Sequence, residues 1–408
     1  MAEQEITDLG TPSGDTAVEV TGTGTRPSIV ADATTRHGAA PVQTRNERFS
    51  STDVADFPAV TGREATWKLT PVDRLAELLS DRLDGSAYPV AATPAEGVEV
   101  TWTDRTDPRI GLAGIPEDRG SANAWSSADQ VLSITITAEE RTEVTVRREE
   151  FGTAARGAHT IIEAKPFSNG VIVLDNAGSA LLAENVEILV GDSANLTVVT
   201  VQEFDDDARY LATHFAKVGR DAKFKHVVVS LGGKVVRVNP AVTLADTGAD
   251  GELLGVYFAD SGQHLEQQVF LFHQAANTRG RVNYKGALQG EGARSVWIGD
   301  VLIGPHADGT DSYEQNRNLV LSDGTRADSI PNLEIETGNI LGAGHASATG
   351  RFDDEQLFYL QSRGISEEEA RRLVVRGFLV DVIQRIGYPA LEQRLTAAIE
   401  AELAGGAR

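Results

Sequence analysis

The chain has 408 residues, a formal net charge of -23 and no cysteine. This length suggests two or three structural units, unless the fold is elongated. The acidic charge disfavours nucleic acids and anionic membranes as partners, and the lack of cysteine excludes disulfides, thiolate metal ligands and a cysteine nucleophile within this chain. No signal peptide and no apolar run of about 20 residues is visible, so we expect a cytoplasmic protein.

The N-terminal part is predicted to contain a tail and a short helical region. Residues 1–45 are rich in Thr, Gly, Ala and Asp, and are expected to be disordered because they cannot bury enough apolar surface. Within residues 46–97, Thr70-Pro71 is typical of a helix start with Pro71 at the first helical position. Leu75, Leu78 and Leu79 give that helix one apolar stripe.

The segment from Val98 to Ile340 consists of short runs rich in β-branched residues, separated by turn pairs such as Asn-Gly, Gly-Asp and Asp-Gly. Only Asp207–Lys217 is a candidate helix within it. Many short strands without crossover helices indicate a sandwich, a barrel or a solenoid. Runs such as Val171–Leu174 and Val227–Val229 are apolar without alternation, as in strands covered on both faces. We favour a solenoid of parallel strands with irregular coils, because no strict hexapeptide period is present.

The chain then switches to a helical pattern. A short helix is predicted over Asp353–Ser362, with Gly364 ending it in a left-handed conformation. The next helix opens at Ser366, which forms a capping box with Glu369, and its apolar residues recur at spacings of three and four. A last helix is predicted over Ala390–Leu403.

Motifs of common enzymes are missing from the sequence. There is no P-loop, no Rossmann glycine motif, no HExxH and no nucleophile elbow. The acidic runs Phe204–Ala208 and Arg351–Gln356 could suggest acid-base pairs or hard-metal sites. We interpret them instead as a solvated turn and as the N-terminus of a helix.

Several histidines are given structural interpretations. His159 and His226 stand at predicted strand starts, where a histidine usually satisfies a turn or an edge. His264 and Glu266 are two residues apart and share one face of any strand, but two ligands make no metal site. His306 is interpreted as a loop residue.

His345 has an unusual context, because it is the only titratable residue in a run of small residues. A histidine in such a place can be a core residue, a proton shuttle or a ligand completed by another chain. Small neighbours also permit close approach of another backbone; they are Gly342, Ala343, Gly344, Ala346 and Ser347.

The segment Gly344–Phe378, GHASATGRFDDEQLFYLQSRGISEEEARRLVVRGF, resembles the C-terminal signature of the SufB/SufD family, the scaffold subunits of the Suf iron–sulfur cluster assembly machine. Tyr284–Ile335 also resembles this family, and the resemblance covers roughly residues 150–400. It implies a mainly β fold, a right-handed parallel β-helix core with N-terminal and C-terminal helical regions. We place that core at residues 98–345 and the C-terminal helical domain at residues 346–408.

Two departures from the family pattern point to the SufD subunit. The SufB subunit is expected to carry cysteines, which this chain lacks, and Ala346 stands where SufB commonly has a glutamate. The resemblance implies a non-catalytic scaffold that pairs with a SufB-type subunit through the β-helix and with the ATPase SufC through the C-terminal helices. It further implies a transient iron–sulfur cluster and an association of the complex with reduced flavin, for which no residue here is a candidate.

The resemblance also supplies site residues. His345 matches the family histidine near the interface of the two scaffold subunits, where it is linked to iron supply or cluster building, and it is our candidate for a metal ligand shared with the partner chain. Gly377 lies in mid-helix, where glycine costs about 1 kcal/mol relative to alanine, which suggests close approach by another backbone. The candidates for ATPase docking are Leu357, Phe358, Tyr359, Leu360, Arg363, Gly364, Gly377 and Phe378.

Other functions remain open at this point. The chain could be a purely structural assembly scaffold in which His345 has no chemical role. A β-helix can also be a polysaccharide-active enzyme, but this would need clustered carboxylates or a basic residue along one sheet. A left-handed β-helix acyltransferase would need the hexapeptide period, which is missing.

Overall fold

A computed structural model describes residues 48–80, 82–351 and 354–405 of the protein. The predicted disordered tail at residues 1–45 lies outside these ranges. The described chain folds mainly into β-strands, with one short α-helix before them, one between β2 and β3, and three after the last strand. The strands are β1 Ala91–Ala92, β2 Val98–Asp104, β3 Gln130–Ile136, β4 Thr142–Arg148, β5 Arg156–Ala164, β6 Asn169–Gly178, β7 Leu181–Val190, β8 Asn195–Phe204, β9 Arg209–Val218, β10 Lys223–Ser230, β11 Val235–Leu244, β12 Asp250–Ala259, β13 His264–His273, β14 Arg279–Leu288, β15 Arg294–Ile303, β16 Asp311–Val320, β17 Arg326–Ile335 and β18 Gly342–Arg351. The α-helices are α1 Ala76–Leu79, α2 Arg119–Ser127, α3 Asp354–Ser362, α4 Glu367–Ile383 and α5 Pro389–Gly405.

The strands form a parallel β-solenoid, as the sequence predicts. From β3 to β18 each strand pairs in parallel with the strand two positions later, so the even-numbered and odd-numbered strands build two facing sheets. Each coil therefore contributes one strand to each sheet. Connections between coils are short turns, which suits the turn pairs noted in the sequence.

Strands in the middle of the solenoid are buried on both faces. All residues of Val171–Leu174 and of Val227–Val229 are buried, which confirms the interpretation of their non-alternating apolar pattern. Inward-facing side chains form the core between the two sheets. Outward-facing side chains of the even-numbered sheet pack under the C-terminal helices.

One predicted helix is wrong. The segment Asp207–Lys217 is largely β9, a strand that pairs with β7 and with β11 along its whole length. Backbone pairing on both edges and burial of the strand between two neighbours override its local helical pattern. The acidic run before it is an exposed turn at residues 205–207, as predicted.

At the N-terminal end of the solenoid, the first two strands run antiparallel to the strands with which they pair. Strand β2 pairs antiparallel with β3, and β1 pairs antiparallel with β4.

The predicted helix after Thr70 is short. A 3-10 turn over Val72–Leu75 runs into α1, and Pro71 lies just before the turn rather than inside it. Helix α2 was not predicted; its N-cap Asp118 accepts a hydrogen bond from the Ser121 backbone amide at 2.9 Å.

The C-terminal helices fold back over the even-numbered sheet. Gly364 has a φ of +85° after α3, and the Ser366 hydroxyl accepts from the Glu369 backbone amide at 3.2 Å, as the capping pattern predicts. Buried residues of α4 and α5, among them Leu379, Val382 and Leu395, pack on outward-facing valines of β6, β8 and β10. No helix in the described ranges is long and apolar enough to cross a membrane.

The C-terminal end of the solenoid is left open. Strands β17 and β18 are the last strands of their sheets, and in the described part of the chain nothing pairs with their outer edges. The predicted boundary between residues 345 and 346 falls inside β18, which continues to Arg351.

Candidate functional site at the open end of the solenoid

His345 lies on the last strand, β18, and its side chain is exposed. Its register partner on the neighbouring strand β16 is Glu314. Register partners on parallel strands are about 4.8 Å apart and point to the same face of the sheet. Gly344, next to His345, leaves room for the Tyr313 ring, which would lie 3.3 Å from a Cβ at that position. Because the residues around His345 are small, its imidazole is the one large side chain in this part of the edge strand β18.

Glu314 is fully buried beneath this edge. Its other register partner, Val282, belongs to the core between the sheets, so the carboxyl points into the solenoid. Neither carboxylate oxygen has a hydrogen-bond partner among the described residues. Burial raises the pKa of Glu314 to about 8, with a further increase from the charge of Asp300 and a partial offset from the approaching Asn332 backbone amide. A carboxyl with this pKa is mostly protonated at neutral pH.

Glu314 belongs to a column of polar side chains that face inward from β16. The others in the column have partners. Ser312 is hydrogen-bonded to His273 Nε2 at 3.0 Å, Asn316 donates to the Tyr257 hydroxyl at 2.9 Å, and Asn318 donates to Asn316 at 2.8 Å. Of the inward-facing polar side chains of β16, Glu314 is therefore the one to which the described residues give no hydrogen-bond partner.

Sequence reasoning placed two of the other histidines wrongly. His159 and His226 were expected at strand starts, but both lie inside strands and are buried. His159 is held by Glu187 at 2.9 Å. His226 contacts His214, which the sequence did not single out, at 3.0 Å between ring nitrogens. Their roles are structural, but in the core rather than at turns or edges.

The structure places His264 in a buried network and His306 in a turn. His264 Nε2 donates to the Glu266 carboxylate at 2.9 Å in a buried network in which Arg237 and Thr70 also donate to Glu266. This network ties the N-terminal region to the solenoid. His306 is an exposed turn residue. Among the described residues, no group of three or more histidine or acidic side chains could hold a metal ion. Much of the acidic run Arg351–Gln356 lies outside the residues whose side chains are described.

The residues predicted to dock an ATPase divide into exposed and buried sets. Phe358 and Tyr359 on α3 are 73% and 57% exposed, and the Arg363 guanidinium lies over the Tyr359 ring. Leu357 is buried, whereas Leu360 is partly buried. Phe358 and Tyr359 therefore form an exposed apolar surface beside Arg363.

The α4 candidates behave differently. Gly377 is exposed, and a Cβ added there would meet nothing within 4 Å. Within the described ranges, therefore, no backbone approaches Gly377 closely. Phe378 packs partly on the even-numbered sheet, with the Lys285 ammonium 5.0 Å from its ring centroid. Most apolar side chains of α4 therefore pack against the rest of this chain.

Comparisons with known proteins agree with this architecture. A family model described as the SufBD core domain of the SUF system for FeS cluster assembly matches residues 144–378. An iron–sulfur cluster assembly SufBD family protein of Mycobacterium bovis is 48% identical over 371 residues, which cover 88% of this chain and 93% of that protein. One from Mycobacterium leprae is 47% identical over 87% of this chain and 93% of its own length. A second Mycobacterium leprae protein of that description is 32% identical over 54% of this chain and 25% of its own length.

Proposed function

Since the chain belongs to the SufBD family of iron–sulfur cluster assembly proteins, we propose that it is the SufD-type scaffold subunit of a Suf complex. In this proposal it pairs with a SufB-type subunit and with a SufC-type ATPase to build and transfer nascent clusters in the cytoplasm. The absence of cysteine and the presence of Ala346 favour SufD over SufB. The cluster is cargo shared with the partner, and reduced flavin is assigned to no residue of this chain.

The open end of the solenoid is the observation that carries the proposal. The outer edges of β17 and β18 offer unpaired backbone groups, which readily add strands from another chain. Large apolar side chains stand at this edge, with Leu341 81% exposed and Ile335 45% exposed. A SufB-type subunit that pairs with these edges would cover both features and would surround His345.

His345 is proposed to aid iron entry or cluster formation at this junction. An exposed imidazole among glycines and alanines can ligate iron or transfer a proton. Further ligands must come from the partner, because this chain has no cysteine. The chain itself is proposed to be non-catalytic, with ATP hydrolysis in the SufC-type partner.

The exposed side chains of α3 are proposed to bind the ATPase. Phe358 and Tyr359 supply apolar area, and Gly377 on α4 leaves a bare stretch of helix that another backbone can approach. Removing the helices altogether would uncover the valines of the even-numbered sheet. Surface substitutions are therefore a cleaner test than deletion of residues 353–408.

The test is co-expression with SufB-type and SufC-type subunits, followed by purification and measurement of iron and sulfide. We expect His345→Ala to co-purify normally with both partners but to lose cluster content. We expect Phe358→Ser combined with Tyr359→Ser to lose the ATPase and keep the SufB-type subunit. Phe167→Ser is a matched control, since Phe167 is 64% exposed in a turn before β6.

Two outcomes would contradict parts of the proposal. Normal cluster content in His345→Ala would leave a purely structural scaffold, in which His345 has no chemical role. Failure of the chain to associate with either partner would contradict the scaffold function as a whole. The pure chain alone should not hydrolyse ATP.

A further inference from the structure

The unsatisfied carboxyl beneath the open end has no place in the function described so far. We propose that Glu314 and His345 together form the half-site that this chain contributes to a divalent transition-metal site, completed by ligands of the partner subunit. The inference rests on the proposed function, since it concerns the same junction. It adds a second ligand, on a different strand, that binds the ion from inside the solenoid.

The positions of the two residues fit a shared ion. Glu314 and His345 are register partners on β16 and β18, so their side chains leave the sheet on the same face, one coil apart. His345 is on the last strand, and no strand of the described chain lies beyond it. An ion between them would be reached from the open end and would be covered once a partner docks there.

The backbone makes room for the carboxyl of Glu314. A Cβ at Gly299, on the facing sheet, would lie 2.3 Å from Glu314 Oε2 and 2.3 Å from the Trp297 ring. Any residue larger than glycine at this position would displace the carboxyl or the indole. Asp300, the next residue, is engaged elsewhere, because it accepts from the Asn332 side chain at 2.7 Å. The fold therefore leaves space for the Glu314 carboxyl, and the described residues form no hydrogen bond to it.

A structural role does not explain Glu314. A buried polar group that has no partner destabilises a fold, and an apolar residue or a paired carboxylate would serve better in that position. The polar neighbours of Glu314 on β16 all have partners. A metal ion would provide the missing partner for the carboxylate oxygens.

The donor set indicates the class of ion. One carboxylate oxygen and one imidazole nitrogen suit first-row divalent ions such as Fe²⁺, Co²⁺ and Zn²⁺. Two ligands do not make a stable site, which agrees with the lack of any three-residue group among the described histidine and acidic side chains. The remaining positions must be filled by a second chain, by water or by sulfide.

The experiment uses Co²⁺ as a spectroscopic probe. The full-length chain, alone and in complex with the SufB-type subunit, is titrated with Co²⁺ and followed by its visible absorption bands. We expect binding in the complex, and at least a tenfold loss of affinity in both Glu314→Gln and His345→Ala. Glu336→Gln, at an exposed position just after β17, is the control and should bind as the wild type does.

Thermal unfolding of the same proteins separates a ligand from a structural residue. Glu314→Gln should unfold at the same temperature as the wild type or higher, because the amide has the shape of the carboxyl but cannot carry a charge in a buried site. Wild-type Co²⁺ affinity in Glu314→Gln, absence of Co²⁺ binding by the wild-type complex, or a loss of affinity accompanied by a lower unfolding temperature would each overturn the inference. If His345→Ala lowers cluster content while Glu314→Gln binds Co²⁺ normally, the inference fails and the proposed function stands.

Discussion

Glu184 in the early coils and Glu314 in the penultimate coil are both fully buried, yet only Glu184 has partners. Arg148 donates to Glu184 at 3.0 Å, and Tyr210 and Thr160 each donate to it at 2.8 Å. Burial alone would raise the pKa of Glu184, but the charge of Arg148 and these hydrogen bonds hold it below its usual value. The same side chain in the same type of coil is therefore a stabilised anion in one region and a neutral acid in the other.

The ends of the solenoid differ in a matching way. At the N-terminal end, β1 and β2 run antiparallel to their neighbours, and α2 covers the coils beside them. At the C-terminal end, β17 and β18 have no such cover in the described chain. At this end the buried carboxyl of Glu314, which has no hydrogen-bond partner among the described residues, lies beside exposed strand edges.

The largest effect should come from breaking the buried pair in the early coils. Arg148→Met leaves Glu184 without its cation, and the loss of one partner of a buried ion pair lowers the free energy of unfolding by about 3–5 kcal/mol. Denaturant unfolding followed by circular dichroism measures it. Arg294→Met is the control: Arg294 pairs with Asp328 at a partly exposed site, where the effect should be below about 1 kcal/mol. Equal losses in free energy of unfolding in the two variants would contradict the proposed difference between the early coils and the C-terminal end.

The next effect is a loss of stability in acid caused by core histidines. Burial lowers the pKa of His214 to about 3 and that of His273 to about 3. Between pH 6.5 and 3 the unfolded chain binds protons that the folded chain does not, so stability falls as pH falls. The slope should be about 1.4 kcal/mol per pH unit for each histidine. Denaturant unfolding at a series of pH values should show a smaller slope in His273→Gln than in the wild type, and equal slopes would contradict the prediction.

Glu314 should give the opposite dependence. Its pKa is raised from 4.5 to about 8, so the folded chain holds a proton that the unfolded chain releases. Its contribution to stability is complete below pH 4.5 and is lost as the pH rises through 8. The advantage of Glu314→Gln over the wild type in free energy of unfolding should therefore grow with pH, by at most about 1.4 kcal/mol per pH unit. A difference that stays constant as the pH rises from 5 to 8 would show that the pKa of Glu314 is not raised, and that its carboxylate is paired as that of Glu184 is.

The smallest effect on stability should come from the open edge itself. Leu341 is 81% exposed, so Leu341→Ser should change the free energy of unfolding of the isolated chain by less than about 0.5 kcal/mol. The same variant should weaken association with the SufB-type subunit in analytical size exclusion. A clear loss of stability in the isolated chain would show that this edge is packed within the molecule.

The sequence predicted elements whose cause is local. Val171–Leu174 is recognisable as a strand covered on both faces because no polar residue interrupts it, and Ser366 is recognisable as an N-cap because its partner Glu369 is three residues away. Asp207–Lys217 was mistaken for a helix because its strand character comes from pairing with β7 and β11, which are distant in sequence. His226 was misplaced for a related reason: its strand begins three residues earlier, at Lys223, where the local sequence is polar.

The candidate site was predicted only in part. His345 stands out in the sequence, because it interrupts a run of small residues. Glu314 does not, because its strand, DSYEQNRNLV, is polar on both faces and reads as a surface strand. The spacing of Ser312, Glu314, Asn316 and Asn318 by two was the available signal, but only the register with Val282 shows that this face points inward. Whether Glu314 faces the core depends on its register with a strand distant in sequence, and no local pattern encodes that register.

The C-terminal helices have a consequence for how the molecule unfolds. In an ordinary solenoid each coil touches only its neighbours, so the array can come apart one repeat at a time. Here α4 and α5 form ion pairs with several coils. Arg394 pairs with Asp175 on β6 at 2.8 Å and with Glu203 on β8 at 2.6 Å. Asp381 pairs with Lys285 on β14 at 2.7 Å. We therefore expect the coils from β6 to β14 to unfold together. The last coil lies beyond these ion pairs, so we expect it to open and to re-form against a second chain more readily than the rest.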